Sequence, residues 1–491
     1  METAIKQYEY VFARARFILP MNPELENGYN TRIEDGYVLC NEKIIECGHY
    51  TAEIGTRIKT EYPTVHVMGA NDEEDFPMLD GVLMPGFIVA HGHDHESPIV
   101  GLAKDVPLTA WLDGAVNVFT GMLNEKKEEL SEMFSGSPHY VAYIKARLDN
   151  IQYGVTSCCV HHCNHNKYNV EPIVRANVKA GTKMIVAVGS QDRHYDPRIL
   201  DTPEEAVARM DSYQEQFANT PRTEVIPGPD QLFSNGPEIL KALKEWSEKH
   251  GKMFHCHSSE EPNTTKWFTE EYGMTPVEYA HSIGILNERT VFAHQVNSTE
   301  HDIDLLRENK VKLVHNPLAN TVLGSGMPDI INWRKNGIPT AISTDGSGSA
   351  DCQNILGAAK CAVQYQRALH CDPSVLTAVD VLAMITRAPA DFYNFNAGTL
   401  EAGRDGDFVL IDLTRPNLTP TLIDTVMENL VWCSDGSEVK HVVANGIVLK
   451  EDFEFKTLNE KKIKEDVLEL TRYLHAYKRT AAEIRGTGAH K

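Results

Sequence analysis

The sequence is poor in basic residues for its length and has no long apolar run. It contains 47 Lys and Arg residues against 69 Asp and Glu residues, which gives a formal net charge of −22. A protein that binds nucleic acid needs a basic face, so we expect no nucleic-acid partner. No stretch reaches the roughly 18 uninterrupted apolar residues that a membrane-spanning helix needs, so we also expect no membrane span.

The sequence also lacks a secretory signal and a disulfide framework. Its N-terminus has no basic start followed by an apolar run and a small-residue cleavage site. Ten cysteines are scattered through 491 residues, a pattern typical of reduced thiols. We therefore expect a cytoplasmic protein.

Short apolar runs alternate with amphipathic stretches through the middle of the chain. Residues 140–151 carry apolar side chains at helical spacing. Residues 202–205, Thr-Pro-Glu-Glu, form a capping box with proline at the first helical position. Eight strands, each followed by a helix, predict a (β/α)8 TIM barrel over residues 81–394. The predicted strands are 83–90, 155–161, 183–189, 223–228, 252–257, 289–294, 311–315 and 339–345.

Both ends of the chain have short strands and turns instead. Examples are 10–19 near the start and 441–450 near the end, and the latter contains the hairpin turn Asn445-Gly446. We predict a small β-sandwich domain built from both chain ends, followed by a C-terminal helical extension rich in Lys and Glu. The expected bounds are 1–80 with 395–455 for the β domain and 456–491 for the extension.

Polar side chains stand at the ends of the predicted barrel strands, where the active site of this fold forms. Five of the eight strands end in a residue type that binds metals or carries protons, which makes chance a poor explanation. Imidazole nitrogens and carboxylate oxygens suit Zn²⁺ or Fe²⁺. The sequence therefore predicts a catalytic metal site. These strand ends are His91-Gly92-His93, His255-Cys256-His257, His294, His315 and Asp345.

Several segments match, in order, the motifs of one protein family. PGFIVAHGH is similar to PG-φ-φ-x-x-H-x-H, where φ is apolar, and HCHSSE is similar to H-x-H-x-x-E. GLAKDVPLTAWL, VFAHQV, HNPLANTVLGSG and STDG follow at matching positions. Together they resemble the amidohydrolase superfamily, in the mononuclear deaminase/chlorohydrolase branch. That branch includes triazine hydrolases, guanine deaminase and S-adenosylhomocysteine deaminase.

The resemblance implies a role for each matching side chain. Glu260 matches the acid/base that moves a proton from water to a ring nitrogen. His294 matches the residue that orients the water or the developing oxyanion, and Asp345 would also accept a proton. No lysine stands at the end of strand four to bridge two ions, which favours one divalent metal, Zn²⁺ first and Fe²⁺ second. The implied metal ligands are His91, His93, His257 and Asp345.

Other positions depart from the family pattern. Relatives that act on thio- and nucleoside substrates carry a glutamate nine residues after the tryptophan that matches Trp111. Thr120 stands there instead, which argues against a ribose-bearing substrate. GPDQLFS replaces GPHSPYxCS and loses a histidine. The candidate substrate contacts are His95, Trp111, Gln231 and Asn320.

Two histidine-rich segments have alternative interpretations. His95 could be a third ligand from the first strand, but we favour a chain that turns off the barrel after His93, because the apolar run stops at Ala90. The cluster 158–165 could be a structural zinc site. It contains no C-x₂-C pair, so a position at the rim of the pocket is favoured.

These observations predict a hydrolase of carbon–nitrogen bonds that deaminates an aminated purine, pyrimidine, triazine or related heterocycle. In this hypothesis metal-bound hydroxide attacks a ring carbon and ammonia leaves. One alternative keeps the site and displaces chloride or an alkylamine, or opens a cyclic amide. Another is a non-catalytic scaffold, which is disfavoured because every ligand position is retained. The resemblance also implies a homodimer.

Overall fold

The computed structural model describes residues 7–102, 104–134 and 136–488, with side chains as far as residue 478. Its strands fall into a small β domain from both chain ends and a central barrel. The strands before the barrel are β1 (Val11–Ile18), β2 (Ile33–Cys40), β3 (Ile44–His49), β4 (His66–Val67) and β5 (Leu79–Pro85). The barrel strands are β6 (Phe87–Gly92), β7 (Val155–His162), β8 (Lys183–Val188), β9 (Thr223–Pro227), β10 (Phe254–Ser258), β11 (Thr290–His294), β12 (Lys312–His315) and β13 (Thr340–Ile342). The last strands are β14 (Phe408–Asp412), β15 (Val439–Ala444), β16 (Ile447–Glu451) and β17 (Glu454–Phe455).

The predicted TIM barrel is confirmed, and its eight strands are parallel neighbours in sequence order. They form two four-stranded parallel sheets, β6 to β9 and β10 to β13. At one seam Gln231 forms a parallel bridge with His257. At the other, the Ser343 hydroxyl accepts from the His91 backbone N–H at 3.1 Å and donates to the His91 carbonyl at 2.7 Å. These contacts bring the first and last strands together, so all eight carboxyl ends surround one space.

The small domain draws on both chain ends, as expected, and its strands form one continuous sheet. The order is β17-β16-β15-β14-β5-β1-β2-β3, with β4 paired to β1. Strand β5 pairs in parallel with β1 and antiparallel with β14. Strands from both chain ends therefore belong to one sheet. Between β15 and β16, Asn445 and Gly446 both have positive φ, at 50° and 72°, as a type I′ hairpin requires.

The predicted strand 83–90 is divided in the structure. Residues up to Pro85 belong to the small sheet, and the barrel begins at Phe87. Gly86 lies at the junction, where a β-carbon would be 2.3 Å from the hydroxyl oxygen of Thr156. The chain therefore passes from one domain to the other without a loop, and one apolar run supplies two strands. The exact division of the chain into domains stays a prediction.

Helices surround the barrel. The helix predicted over 140–151 is present as α5 (Pro138–Gln152), and the one predicted from the capping box at 202–205 is present as α7 (Pro203–Phe217). The interior of the barrel is filled mostly by small and branched side chains. Phe392 and Tyr393 of helix α17 (Arg387–Tyr393) pack against them. The helices are α1 (Ala52–Glu61), α2 (Leu108–Trp111), α3 (Asn117–Glu125), α4 (Lys127–Met133), α5 (Pro138–Gln152), α6 (Val170–Ala180), α7 (Pro203–Phe217), α8 (Pro237–His250), α9 (Pro262–Tyr272), α10 (Pro276–Ser282), α11 (Glu300–Glu308), α12 (Pro317–Val322), α13 (Ile330–Lys335), α14 (Ser347–Ala350), α15 (Ile355–His370), α16 (Ala378–Met384), α17 (Arg387–Tyr393), α18 (Val426–Trp432) and α19 (Glu460–Gly488).

The C-terminal helix α19 lies over the side of the barrel where the chain leaves β6. Its Leu470 and Leu474 are fully buried. Thr471 donates a hydrogen bond to the Pro98 carbonyl at 3.2 Å. The helix therefore supports the segment that directly follows the first two predicted metal ligands. Among the described residues, no helix is long and apolar enough to cross a bilayer.

Candidate metal centre

Three histidines from two strands direct their Nε2 atoms to one point at the carboxyl edge of the barrel. Ligand atoms of His91, His93 and His257 lie within 4.8 Å of one another, and all three residues are buried. His93 Nδ1 lies 3.0 Å from the carbonyl oxygen of His161, and His257 Nδ1 lies 2.5 Å from that of Asp230. Since a carbonyl only accepts, each Nδ1 carries a proton and each Nε2 keeps a free lone pair.

His91 is oriented by a chain of hydrogen bonds. Its Nδ1 lies 2.8 Å from His255 Nε2, and His255 Nδ1 lies 2.8 Å from the hydroxyl of Tyr393. That hydroxyl donates to the Ala90 carbonyl at 2.7 Å, so each donor in the chain has an acceptor. His91 Nε2 is buried and has no hydrogen-bond partner among the described residues. This leaves a lone pair directed at the centre.

Asp345 lies beside these three histidines. Its Oδ1 lies 3.4 Å from His91 Nε2 and 3.5 Å from His93 Nε2, and the Nε2 atoms of His93 and His257 are 3.2 Å apart. Ligands about 2.0–2.1 Å from a tetrahedral zinc ion are about 3.3 Å from one another. The donor set and its spacing therefore fit a single zinc ion, and the same N and O donors suit Fe²⁺.

Glu260 and His294 face this centre from the next strand ends. His294 Nε2 lies 3.8 Å from Glu260 Oε1 and 3.6 Å from Asp345 Oδ2. Burial raises the pKa of Glu260 to about 8; the negative charge of Asp345 adds to this, and His257 opposes it. Burial lowers the pKa of His294, so that its ring is neutral near pH 7. The arrangement places a proton-carrying carboxyl group and a neutral imidazole on one side of the ligand set.

The backbone is strained where these side chains leave their strands. Ser259, His294, Gln295 and Asp345 have positive φ values of 48°, 72°, 44° and 71°. Residues other than glycine rarely adopt this conformation, and it persists where the surroundings fix it, often at functional sites. The turns that carry Glu260, His294 and Asp345 are therefore held in conformations that direct their side chains to the centre.

Two of the four expected substrate contacts lie at the centre. Gln231 lines a small cavity together with His257 and Glu260. Asn320 accepts from His294 Nδ1 at 2.9 Å, while its own Nδ2 has no partner among the described residues. Asn320 therefore orients His294 through its oxygen and keeps a donor for another group.

The other two expected contacts are not among the described residues that line this cavity. Trp111 is buried in α2, and it is not among the described residues that line the cavity beside Glu260. His95 belongs to a 3₁₀ turn, Asp94–Ile99, which begins directly after His93. The chain thus turns off the barrel after His93, as expected. The His95 ring centroid is 5.5 Å from that of His93, and His95 is not in the group formed by His91, His93 and His257.

The neighbours of His95 support the fold around the centre. Asp94 forms a buried ion pair with Arg147 of α5, whose guanidinium also donates to Cys158 Sγ at 2.8 Å. Glu96 accepts from the backbone N–H and the hydroxyl of Ser349, in the short helix α14 after Asp345. Among the described contacts, these two carboxylates bind protein groups.

The sequence did not reveal how far the strand ends supply supporting groups. His255 contacts Nδ1 of His91 and is itself held by Tyr393, and the Asp230 carbonyl contacts Nδ1 of His257. In the sequence, only the alternation His-Cys-His at 255–257 indicated that His255 could have such a role. His161 of β7 lies beside the centre, with its ring centroid 4.6 Å from that of His257. The cluster 158–165 is thus the end of β7 and the turn after it.

The sequence profile of the amidohydrolase family matches residues 82–449. The chain belongs to the amidohydrolase family. The matched segment spans the barrel and most of the returning strands of the small domain. The predicted family is therefore confirmed, and with it a hydrolase of carbon–nitrogen bonds.

Two curated relatives of this amidohydrolase are deaminases. The 5′-deoxyadenosine deaminase of Methanothermobacter thermautotrophicus is 29% identical over 391 residues, which cover 79% of this chain and 87% of that protein. The 5-methylthioadenosine/S-adenosylhomocysteine deaminase of Caldanaerobacter subterraneus subsp. tengcongensis is 29% identical over 412 residues, or 83% of this chain and 88% of that protein. Both names agree with the predicted reaction.

Solved structures share the fold at lower identity. An adenosine deaminase from Xanthomonas campestris with bound zinc superposes with a TM-score of 0.79 at 19% identity, over 95% of this chain and 98% of that one. Atrazine chlorohydrolase from Arthrobacter aurescens TC1, complexed with zinc, gives a TM-score of 0.81 at 20% identity, over 94% and 100%. These similarities establish the architecture.

Proposed function

We propose that this amidohydrolase is a metal-dependent deaminase that releases ammonia from an aminated purine or related heterocycle. One observation carries the proposal: a buried carboxyl group and a neutral imidazole, Glu260 and His294, stand beside three imidazoles and the carboxylate of Asp345. His91, His93, His257 and Asp345 would hold the ion. When bound, a divalent ion lowers the pKa of a water molecule toward about 7 and so supplies the nucleophile.

Glu260 is suited to move the protons of this reaction. Its pKa of about 8 lies near neutral pH, so the group can both accept and donate a proton. Glu260 takes a proton from the attacking water and passes it to the ring nitrogen next to the carbon under attack. Asp345 accepts the remaining proton and passes it to the amino group. The carbon–nitrogen bond then breaks, and ammonia leaves as a carbonyl group forms.

His294 positions the water. Asn320 Oδ1 only accepts, so it fixes the proton of His294 on Nδ1. Nε2, which Asn316 Nδ2 approaches to 3.4 Å, is then an acceptor that faces Glu260 and Asp345. A water molecule that donates to Nε2 turns its oxygen lone pair away from His294. The neutral ring therefore orients the nucleophile, and it does not carry a proton to an oxyanion.

Substrate choice between a free base and a nucleoside depends on the cavity beside Glu260. Thr120 is fully buried in α3, and its hydroxyl donates to the Val116 carbonyl at 2.9 Å. That hydroxyl makes its hydrogen bond within its own helix, so this position does not supply a ribose contact. The curated relatives carry the names of nucleoside deaminases. We propose that any ribose-bearing substrate is held by groups other than Thr120, with Gln231 the candidate contact in the cavity.

The test is an ammonia-release assay on the zinc-loaded protein with adenine, guanine, 5′-deoxyadenosine and 5′-methylthioadenosine. Glu260→Gln should keep one metal equivalent and lose activity at least about 100-fold, as expected for loss of a general acid/base. An active Glu260→Gln variant would overturn the role of this residue. Chloride release from atrazine without ammonia release from any amine would favour the alternative reaction, and absence of metal from the purified protein would favour a scaffold.

The remaining properties are proposed on separate grounds. We propose zinc as the ion, since imidazole nitrogens and a carboxylate are ligands that suit zinc and a solved structure of the same fold contains zinc. The nine cysteines outside β2 are free thiols, which supports a reducing, cytoplasmic location. We propose a homodimer by resemblance. Metal analysis, fractionation of the native cell and sedimentation would test these three in turn.

A further inference from the structure

A second group of ligand-type side chains lies beside the metal centre. Ligand atoms of His93, His95 and Cys163 lie within 4.8 Å of one another, and all three residues are buried. Both ring nitrogens of His95, which is 1% exposed, have no hydrogen-bond partner among the described residues. Buried polar groups are normally paired, so this imidazole is available to a ligand.

The fold brings these groups together through two paired strands. His93 and His95 follow β6, and Cys163 follows β7, the parallel neighbour of β6. Strand ends of a parallel pair meet at one edge, so the thiol and the imidazoles share that edge. Cys163 is a free cysteine and is not needed by the proposed reaction.

The chemistry of the group differs from that of the first centre. His91, His93, His257 and Asp345 offer nitrogen and oxygen only, whereas Cys163 adds sulfur. Thiolate together with imidazole favours soft or borderline ions such as Zn²⁺ and Co²⁺. Binding replaces the thiol proton by the ion, so a metal–sulfur bond forms and one proton goes to solvent.

We propose that His93, His95 and Cys163 form a second, thiolate-containing metal site whose occupation inhibits the enzyme. The inhibitory part rests on the proposed function, because it assigns His93 to the catalytic ion. His93 Nε2 lies 3.2 Å from His257 Nε2, and His93 Nδ1 donates to the His161 carbonyl. With both ring nitrogens already engaged, an ion at the second site competes for His93.

Cobalt titration of the full-length protein tests this site without relying on turnover. A thiolate bound to Co²⁺ gives a near-ultraviolet charge-transfer band, which a centre of imidazoles and carboxylate does not. We expect the band to appear with the second cobalt equivalent, and ammonia release to fall as the band grows. Cys163→Ser should keep the first equivalent and lose both the band and the inhibition, and His95→Gln should lose the band.

The exposed cysteine Cys371 supplies the matched control, and Cys371→Ser should behave as the unaltered protein does. A second equivalent without the band, or the same band in Cys163→Ser, would overturn the site. A band without any loss of activity would overturn the sharing of His93. If no ammonia is released from any substrate but the Cys163-dependent band appears, the proposed function fails and the second site stands.

Discussion

Glu96 accepts hydrogen bonds from the backbone N–H and the hydroxyl of Ser349, both at 3.2 Å. Glu96 lies three residues after His93, and Ser349 lies four residues after Asp345, so the contact joins the 3₁₀ turn after His93 to helix α14 after Asp345. A β-carbon on Gly346 would be 2.1 Å from Glu96 Oε2, which is why this loop needs glycine there. The contact helps to hold Asp345 at its positive φ of 71°.

Replacing Glu96 should therefore weaken the metal centre. In Glu96→Ala the loop after Asp345 loses its acceptor, and loss of such a supporting group typically costs about 10- to 100-fold in metal affinity. Competition with a chromogenic chelator would measure the zinc affinity. Glu73→Ala, in an exposed loop, is the control. An unchanged affinity in Glu96→Ala would show that the loop holds Asp345 without this contact.

Removal of the metal should lower the melting temperature. Three imidazoles and a carboxylate converge on the site, and an ion bound only by the folded state stabilises it by about 4 kcal/mol at a thousand times its dissociation constant. Calorimetry before and after chelation, and after zinc is restored, would measure the shift. Asp345→Asn, which weakens the ligand set, should show a smaller shift; an equal one would place the ion elsewhere.

Loss of the Asn320 amide should lower kcat more than it changes KM. Without Oδ1 as acceptor, the proton of His294 is no longer fixed on Nδ1, and the Nε2 acceptor that orients the water is lost for part of the population. One hydrogen bond of about 1.5 kcal/mol corresponds to roughly a tenfold loss of rate. Steady-state kinetics of Asn320→Ala would test this, with Asn71→Ala as an exposed control. A change confined to KM would instead make Asn320 a substrate contact.

The buried pair of Asp94 and Arg147 should show strong coupling. Arg147→Met leaves the Asp94 carboxylate without its cation and should lower the free energy of unfolding by about 3–5 kcal/mol. The double variant Asp94→Asn with Arg147→Met removes both charges and should recover part of this loss. Denaturant unfolding of the two single variants and the double variant completes the cycle; additive losses would contradict a direct interaction.

Stability should fall in mild acid because of buried neutral histidines. Burial lowers the pKa of His139 to about 3 and that of His162 to about 4, from an ordinary value near 6.5. The unfolded chain therefore binds protons first, and stability present above about pH 6.5 is lost as the pH falls toward 4, by up to about 1.4 kcal/mol per pH unit for each group.

Thermal melts between pH 7.5 and 5 would measure this slope. His139→Leu should reduce it, since one proton fewer is taken up on unfolding. His49→Leu, at an exposed position, should leave the slope unchanged. An equal slope in His139→Leu and the unaltered protein would mean that His139 is protonated in the folded state.

The sequence was informative where one local pattern carries both fold and chemistry. At 87–93 and 254–257 an apolar strand ends in histidine, so the same residues predict both the strand and the candidate metal ligand. The division at Gly86 could not be read, because both domains need apolar strands and the run is continuous. The Glu96–Ser349 contact joins residues 253 positions apart, and the chain from His91 through His255 to Tyr393 depends on side-chain orientation. Neither leaves a local pattern.

The support of the β6 exit by α19 has a consequence for biosynthesis. Thr471 and Pro98 are separated by 373 positions, and β5 needs β14 as its antiparallel neighbour. A ribosome that has just released the His91–His93 segment has made neither α19 nor β14. The barrel can begin to form during translation, but the loop beside its metal ligands gains its support only after nearly the whole chain has emerged. The segment beside the centre is therefore completed late in synthesis.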